Sequence, residues 1–347
     1  MTNFLLINIT IMTIYFFSFQ SKESSFDFMD INHTTLLKGF AILTVLWSHI
    51  GGELGVNYIQ TIAGIGVSIF IICSGYGLTE SYKKRGLDGF FKNRITKIVF
   101  LFWIVELIGL TINGVSKGII IKDLLFITPA TSYGWFMQYI LICYCIFWAV
   151  MKVHEKNSFI GKHTLLTFNT IFIAWFILES LYFAKEGMPE LRARQMFAFP
   201  IGYYISINKM KLKLFIEDNK LNLELVMIII GLTISVISQM DVMNNFKIIF
   251  TNILSLFTVM PIGIAIIMLS WRYKRILENR LFEILGNLSF EIYLIHSFTL
   301  SIIKEFIISI ILFIIVTCTL TLILYKISEF LNRRRESNGR YNGNYIN

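Results

Sequence analysis

Charged residues are scarce in this chain. Asp, Glu, Lys and Arg make up 15% of its 347 residues, against about 25% in an ordinary soluble domain. With a mean hydropathy of +0.67, that shortage excludes a soluble globular protein and points to many membrane spans. Cysteine is scarce too. The four copies, Cys73, Cys143, Cys145 and Cys318, all lie in apolar stretches. They form no CxxC and no Cys/His set with zinc spacing, so no metal is expected and small buried hydrophobes are the reading. No long polar stretch is visible apart from Asn332 to Asn347, which reads as a disordered tail. The net charge of +9 does not indicate nucleic acid. The basic residues sit in short loops between apolar runs, where they set topology and meet anionic headgroups.

The apolar runs cover about 3–20, 34–51, 59–80, 94–114, 133–152, 164–184, 196–208, 223–240, 248–270, 285–303 and 305–331. Most approach the roughly 20 residues a spanning helix needs. The fold expected is therefore all-α: a polytopic transmembrane helical bundle of ten core spans plus an extra N-terminal span. The domains expected are 1–29 as that extra span and a cytoplasmic linker, 30–331 as the transmembrane domain, and 332–347 as a cytoplasmic tail. Segment 3–20 has no charge before Lys22 and no small-residue cleavage site, so it reads as a span rather than a signal peptide. The short 196–208 run reads as broken or re-entrant. The last two runs are separated by Lys304-Glu305 and read as a tight hairpin.

The loops alternate in charge. Lys83 to Lys92, Lys152 to Lys162, Lys209 to Lys220, Arg272 to Arg280 and Arg333 to Arg335 form the basic set. Positive-inside logic puts this set and the C-terminus in the cytoplasm. Lys38, Arg94 and Lys97 then begin their spans at the cytoplasmic edge, and His49 lies toward the outer leaflet.

Lys38 and His49 are eleven residues apart on one apolar stretch. Three helical turns put them on about the same face, roughly 16 Å apart along the axis. Ionisable groups inside a span are costly and suggest function. A neutral imidazole at His49 can act as a general base; the plainer reading is a histidine satisfied by a backbone carbonyl or outer water. Lys38, Arg94 and Lys97 suit a phosphate-binding cluster, or else snorkelling anchors. Ser74, in the small-residue run Phe70 to Gly77, fits helix packing or a narrow channel for an acyl-pantetheine arm. Trp135, Gln138, Tyr139 and Tyr144 mark the outer entry of the fifth run and read as an interfacial belt or a stacking platform for a sugar. Glu106 and Glu291 read as structural carboxylates. Arg192 and Arg194 read as a solvated outer loop, or as ligands for an anionic acceptor.

Five motifs in order resemble the membrane-bound acyltransferase family 3, bacterial proteins that acylate cell-surface glycans. They are Lys38 with His49, Gly66-Val67-Ser68 to Ser74-Gly75, Phe91-x-x-Arg94-x-x-Lys97, Trp135-Phe136 with Tyr144, and Leu285-Gly286 through Ser289 and Tyr293 to His296. At Lys38 and Lys97 the family pattern carries Arg; the change keeps charge but loses the planar fork.

The resemblance implies His49 as the catalytic residue and Lys38, Arg94 and Lys97 as donor-binding residues. Ser74, Trp135, Tyr139, Tyr293 and His296 are the candidate substrate-binding residues. The expected donor substrate is acetyl-CoA or another acyl-CoA, with no permanently bound cofactor. The expected acceptor is a hydroxyl of a surface polysaccharide or lipid-linked sugar. The expected partners are these substrates and membrane lipids, and the expected location is the bacterial cytoplasmic membrane. A glycan exporter without acyl chemistry is the rival reading, though no internal repeat of the transporter kind is evident.

Overall fold

The computed structural model describes residues 2–18, 26–131, 133–182, 190–219, 221–240, 243, 248–303 and 307–343. Among these residues the chain is helical throughout and contains no β-strand. The main helices are α1 (Thr2–Phe17), α2 (Ile31–Glu53), α3 (Ala63–Arg85), α4 (Phe90–Ile112), α5 (Lys117–Leu124), α6 (Trp135–His154), α7 (Thr164–Tyr182), α8 (Ala198–Ile207), α9 (Lys209–Asp218), α10 (Asn222–Ile237), α11 (Val259–Arg272), α12 (Arg280–Asn287), α13 (Ser289–Thr299) and α14 (Ile307–Gly343). Among the described residues, seven helical segments are long and apolar enough to cross a membrane, or eight if the bent pair α9–α10 is one span. The protein is thus an all-α, polytopic membrane protein.

That count is lower than the eleven apolar runs because several runs are broken. The 196–208 run yields only the 10-residue α8. The 285–303 run divides at Leu288 into α12 and α13. α1 has 16 residues, short of the roughly 20 needed to cross. It is nonetheless docked: Phe4 stacks on Trp47 with centroids 5.7 Å apart, and the Trp47 indole N–H donates to Asn8 Oδ1 at 2.6 Å. At its other end the Tyr15 hydroxyl donates to the Ile276 carbonyl at 2.9 Å. Most of the expected linker, residues 19–25, and the expected hairpin turn at Lys304-Glu305 lie outside the described residues. α14 continues to Gly343, where composition suggested disorder. A Glu329–Arg333 pair at 2.6 Å supports it at i,i+4 spacing, and extending an existing helix is easier than starting one.

The chain forms two compact units. One comprises Met1–Leu87 with Tyr139–Asn287, the other Asp88–Gln138 with Leu288–Asn347.

In the first unit, α2 begins at Asp30, whose carboxylate accepts the His33 backbone N–H at 2.7 Å. Such a cap satisfies an otherwise orphaned donor. The His33 ring is fully buried. Its Nδ1 accepts from the Met29 N–H at 2.9 Å, so Nε2 carries the proton and donates to Ser270 Oγ at 2.8 Å. One neutral tautomer therefore ties the start of α2 to α11.

Glycines let the neighbouring helices approach to backbone contact. A Cβ at Gly66 would strike Thr44 Oγ1 and the Ala41 carbonyl of α2. Where α3 meets α8, a Cβ at Gly75 would strike the Phe199 carbonyl, and one at Gly202 the Ile72 carbonyl. This is small-residue packing of the kind that holds helices together in lipid.

In the second unit, α4 contains a π-helical turn, Ile95–Val99. α13 packs on α14, with Thr299 Oγ1 and Thr317 Oγ1 2.8 Å apart.

Candidate functional site

The first unit contains a cleft of about 810 Å³ between the start of α2 and the C-terminal half of α3. Its wall includes Lys38, Lys84, Arg85 and Lys209, together with Cys73, Tyr76 and Gly77. From Cys73 to Arg85 the cleft follows roughly 18 Å of α3. Gly77 has nothing within 4 Å of where a Cβ would sit, so its lack of a side chain keeps that wall open.

Two acids share the lining, Asp30 and Glu80, but both are engaged. Asp30 caps α2. Glu80 accepts from Lys83 at 2.7 Å and from Ser206 Oγ at 2.6 Å. No ion pair among the described residues involves Lys38 or Lys84. The cleft therefore presents an excess of positive charge. That suits a multiply charged phosphate ligand whose apolar arm can run inward between α2 and α3.

Beside the mouth, Asp27 bonds Lys213 at 2.6 Å and approaches Lys209 at 3.8 Å. The Lys213 hydrogen bond holds the Asp27 carboxyl below its ordinary value, against the opposing effect of burial. Lys274 lies over the Trp271 ring at 3.5 Å. The basic ends of α3, α9 and α11 thus gather with the start of α2 at one end of the unit, as the alternation of loop charge predicts.

Lys38 marks the inner end of this cleft, but His49 does not line it. His49 is half-buried on α2, three turns further on. Between the two, Gly66 brings α3 against Ala41 and Thr44. The shared helix face expected from their spacing is real, yet a close helix contact separates the imidazole from the cation cleft along that seam.

Ser74 also lies off the cleft. Its hydroxyl is 2.9 Å from the Tyr144 hydroxyl, and the pair joins α3 to α6. Tyr139, expected in an interfacial belt or a sugar-stacking platform, lies instead inside the first unit. It is fully buried, stacked on Trp175 at 5.0 Å, and its hydroxyl donates to the Gln195 carbonyl at 2.9 Å.

The second unit holds the remaining candidates. Arg94 is half-buried with its guanidinium 5.3 Å from the Phe90 ring centroid. Lys97 is exposed within the π-helical turn, a distortion found often at functional sites. Trp135 is partly exposed beside Phe136.

The buried Tyr293 and His296 cluster with the half-buried Tyr133. The Tyr293 hydroxyl donates to the Tyr133 carbonyl at 2.8 Å. His296 is fully buried, and its Nδ1 is 2.6 Å from the Tyr293 carbonyl. A carbonyl only accepts, so Nδ1 carries a proton, and in the neutral ring Nε2 is the basic nitrogen. Glu106, Tyr133, Tyr293 and Ser297 line a small cavity of about 10 Å³, room for about one water. Glu106 Oε2 and Asp123 Oδ2 are buried with no hydrogen-bond partner among the described residues. Burial pushes the Asp123 carboxyl up, partly offset by the Ala130 N–H it accepts at 2.8 Å.

Sequence reasoning missed His33, Asp123, Tyr133 and the cations at the cleft mouth as site-forming groups. For Lys84, Arg85 and Lys209 the signal was present, since they belong to basic loops assigned to one side.

Fold and site together define a multi-pass membrane protein with a cation-walled cleft reaching into its helices. An acyltransferase domain model of acyltransferase family 3 matches residues 28–325, and the chain belongs to that family. It is accordingly an enzyme class that moves acyl groups. No curated protein and no solved structure matches the chain.

Proposed function

We propose that this protein takes an acyl group, with acetyl the first candidate, from cytosolic acyl-CoA. It passes that group to a hydroxyl of a cell-surface polysaccharide or lipid-linked sugar. The observation carrying this reading is the cleft of about 810 Å³ walled by Lys38, Lys84, Arg85 and Lys209. Its volume suits a cofactor-sized ligand, and its charge suits the phosphates of coenzyme A. The distribution of Lys and Arg supports a cytoplasmic cleft mouth and C-terminus, and the family resemblance supports the bacterial cytoplasmic membrane as the location in this reading. Arg94 and Lys97 are proposed as donor-phosphate ligands on the family resemblance alone.

In the chemical step the acceptor hydroxyl attacks the thioester carbonyl. A C–O bond forms, the C–S bond breaks, and coenzyme A leaves as a thiol after gaining a proton. His49 accepts the hydroxyl proton as general base. The Gly66 contact requires the acyl end to pass Lys38 around that seam, or α2 and α3 to part there.

The test uses the full-length protein in nanodiscs with radiolabelled acetyl-CoA and membrane glycan from its own host. Acetyl incorporation is expected. Lys84→Ala with Arg85→Ala should raise the donor KM about tenfold while leaving the acceptor KM unchanged, in the range of lost charge-assisted hydrogen bonds. Efflux of glycan without acetyl incorporation, or an unchanged donor KM in the variant, would overturn the reading.

A further inference from the structure

The cation cleft has an inner half that the charges at its mouth do not explain. Lys84 and Arg85 stand at the end of α3 and Lys209 at the start of α9, whereas Met29, Cys73, Tyr76 and Gly77 line the stretch toward Lys38. From Tyr76 to Lys84 is roughly 12 Å along the helix. Met29, Cys73 and Tyr76 are all buried, so this half has largely apolar walls.

One polar group there is unspent. Tyr76 is 5% exposed and lies on the cleft wall, yet among the described residues its hydroxyl makes no hydrogen bond. Buried tyrosines normally place their hydroxyl on a partner. Tyr139 and Tyr293 do so here, each donating to a backbone carbonyl at 2.9 and 2.8 Å. The hydroxyls next to Tyr76 on α3 are committed: Ser74 lies 2.9 Å from the Tyr144 hydroxyl, and Thr79 donates to the Gly75 carbonyl at 2.8 Å. The Tyr76 hydrogen is instead open to whatever occupies the cleft.

The surroundings select that occupant. Both Asp30 oxygens accept backbone N–H groups, from Asp27 at 2.9 Å and His33 at 2.7 Å. Glu80 is held by Lys83 and Ser206. Lys38, on α2, has only hydrogens to offer. The inner half therefore presents donors and apolar surface. Gly77, with nothing within 4 Å of a Cβ position, leaves width beside the Tyr76 ring. The matching ligand segment is slender, mostly apolar and carries a carbonyl acceptor, which describes an amide-bearing alkyl arm.

We infer that the Tyr76 hydroxyl donates to an amide carbonyl of the donor's pantetheine arm, while the cations at the mouth hold the phosphates. This rests on the acyl-CoA reading of the cleft. It moves recognition of the arm away from Ser74, which Tyr144 engages, to a residue two positions on and so on the opposite side of the helix.

Binding of radiolabelled coenzyme A to the full-length protein in nanodiscs, with no acceptor present, tests the assignment. Acetyl-CoA and adenosine 3′,5′-bisphosphate, which keeps nucleotide phosphates but lacks the arm, serve as displacing ligands. Tyr76→Phe removes the oxygen alone. It is expected to weaken coenzyme A and acetyl-CoA equally, about fivefold, in the range of one hydrogen bond, and to leave the bisphosphate and the melting temperature unchanged. Lys84→Ala should weaken all three ligands. Unchanged coenzyme A affinity in Tyr76→Phe, or an equal loss for the bisphosphate, would overturn the inference. So would a loss confined to acetyl-CoA, which puts the contact at the thioester, or a lowered melting temperature, which gives the hydroxyl a partner inside the protein. A bisphosphate that fails to displace coenzyme A from the wild type would defeat the division between mouth and arm. The two readings fail separately. A wild type that binds no coenzyme A ends the donor reading and this inference with it, whereas tight binding that Tyr76→Phe leaves intact ends this inference alone.

Discussion

Lys38 places an ammonium group at the inner end of a cleft whose wall already carries Lys84, Arg85 and Lys209. Lys38→Ala is expected to weaken acyl-CoA binding about tenfold, whereas Lys38→Arg retains or improves it, because the guanidinium adds a planar fork. Isothermal titration with the purified protein reads both. His49→Ala and His49→Gln should lower acyl transfer at least 100-fold, within the range for loss of a general base, with donor affinity unchanged. Transfer at wild-type rates by His49→Gln would remove the imidazole from the chemistry. Asp27 supplies a pH signature. Its carboxyl titrates below the ordinary 3.8 because Lys213 bonds it, so its contribution to stability is full above that value and disappears as pH falls through the depressed one. Melting curves taken between about pH 6 and about pH 3 should show a small acid-dependent loss that Asp27→Asn lacks. The effect is small because Asp27 is half-exposed and solvent screens the pair.

At the scale of helices, the glycines of α3 have opposite duties. Gly75 meets the backbone of α8, while Gly77 borders open space in the cleft. Gly75→Leu should cost about 1–3 kcal/mol from overpacking, seen as a lowered melting temperature. Gly77→Leu should leave the melting temperature nearly unchanged and reduce donor affinity by crowding the cleft. Equal effects on stability would contradict the packing described. These duties show which features sequence carries. The spacing of Lys38 and His49 was legible because helix rise is constant, and the small-residue run of α3 was legible as a packing surface. The Gly66 seam was not, because the partner of a glycine is chosen by tertiary approach. Tyr139 reads as interfacial from composition, but Trp175 and Gln195, distant in sequence, enclose it. His33 looked unremarkable in sequence because its two partners, Met29 and Ser270, converge on the ring only in the folded chain.

For the whole molecule, apolar runs marked the all-α membrane class, while run length alone did not show where the helices break. Leu288 and the short α8 interrupt hydrophobic stretches that composition alone reads as continuous. Orientation is testable independently of enzyme chemistry. Single cysteines replacing Lys84 and Lys156 should react with a membrane-impermeant maleimide only after cells are opened, and one replacing Glu53 should react in intact cells. The reverse pattern would invert the topology. The seam at Gly66 has a consequence for access. Beside Ala41 and Thr44 the backbones of α2 and α3 abut, so at that point these two helices leave no room between them for water or ions.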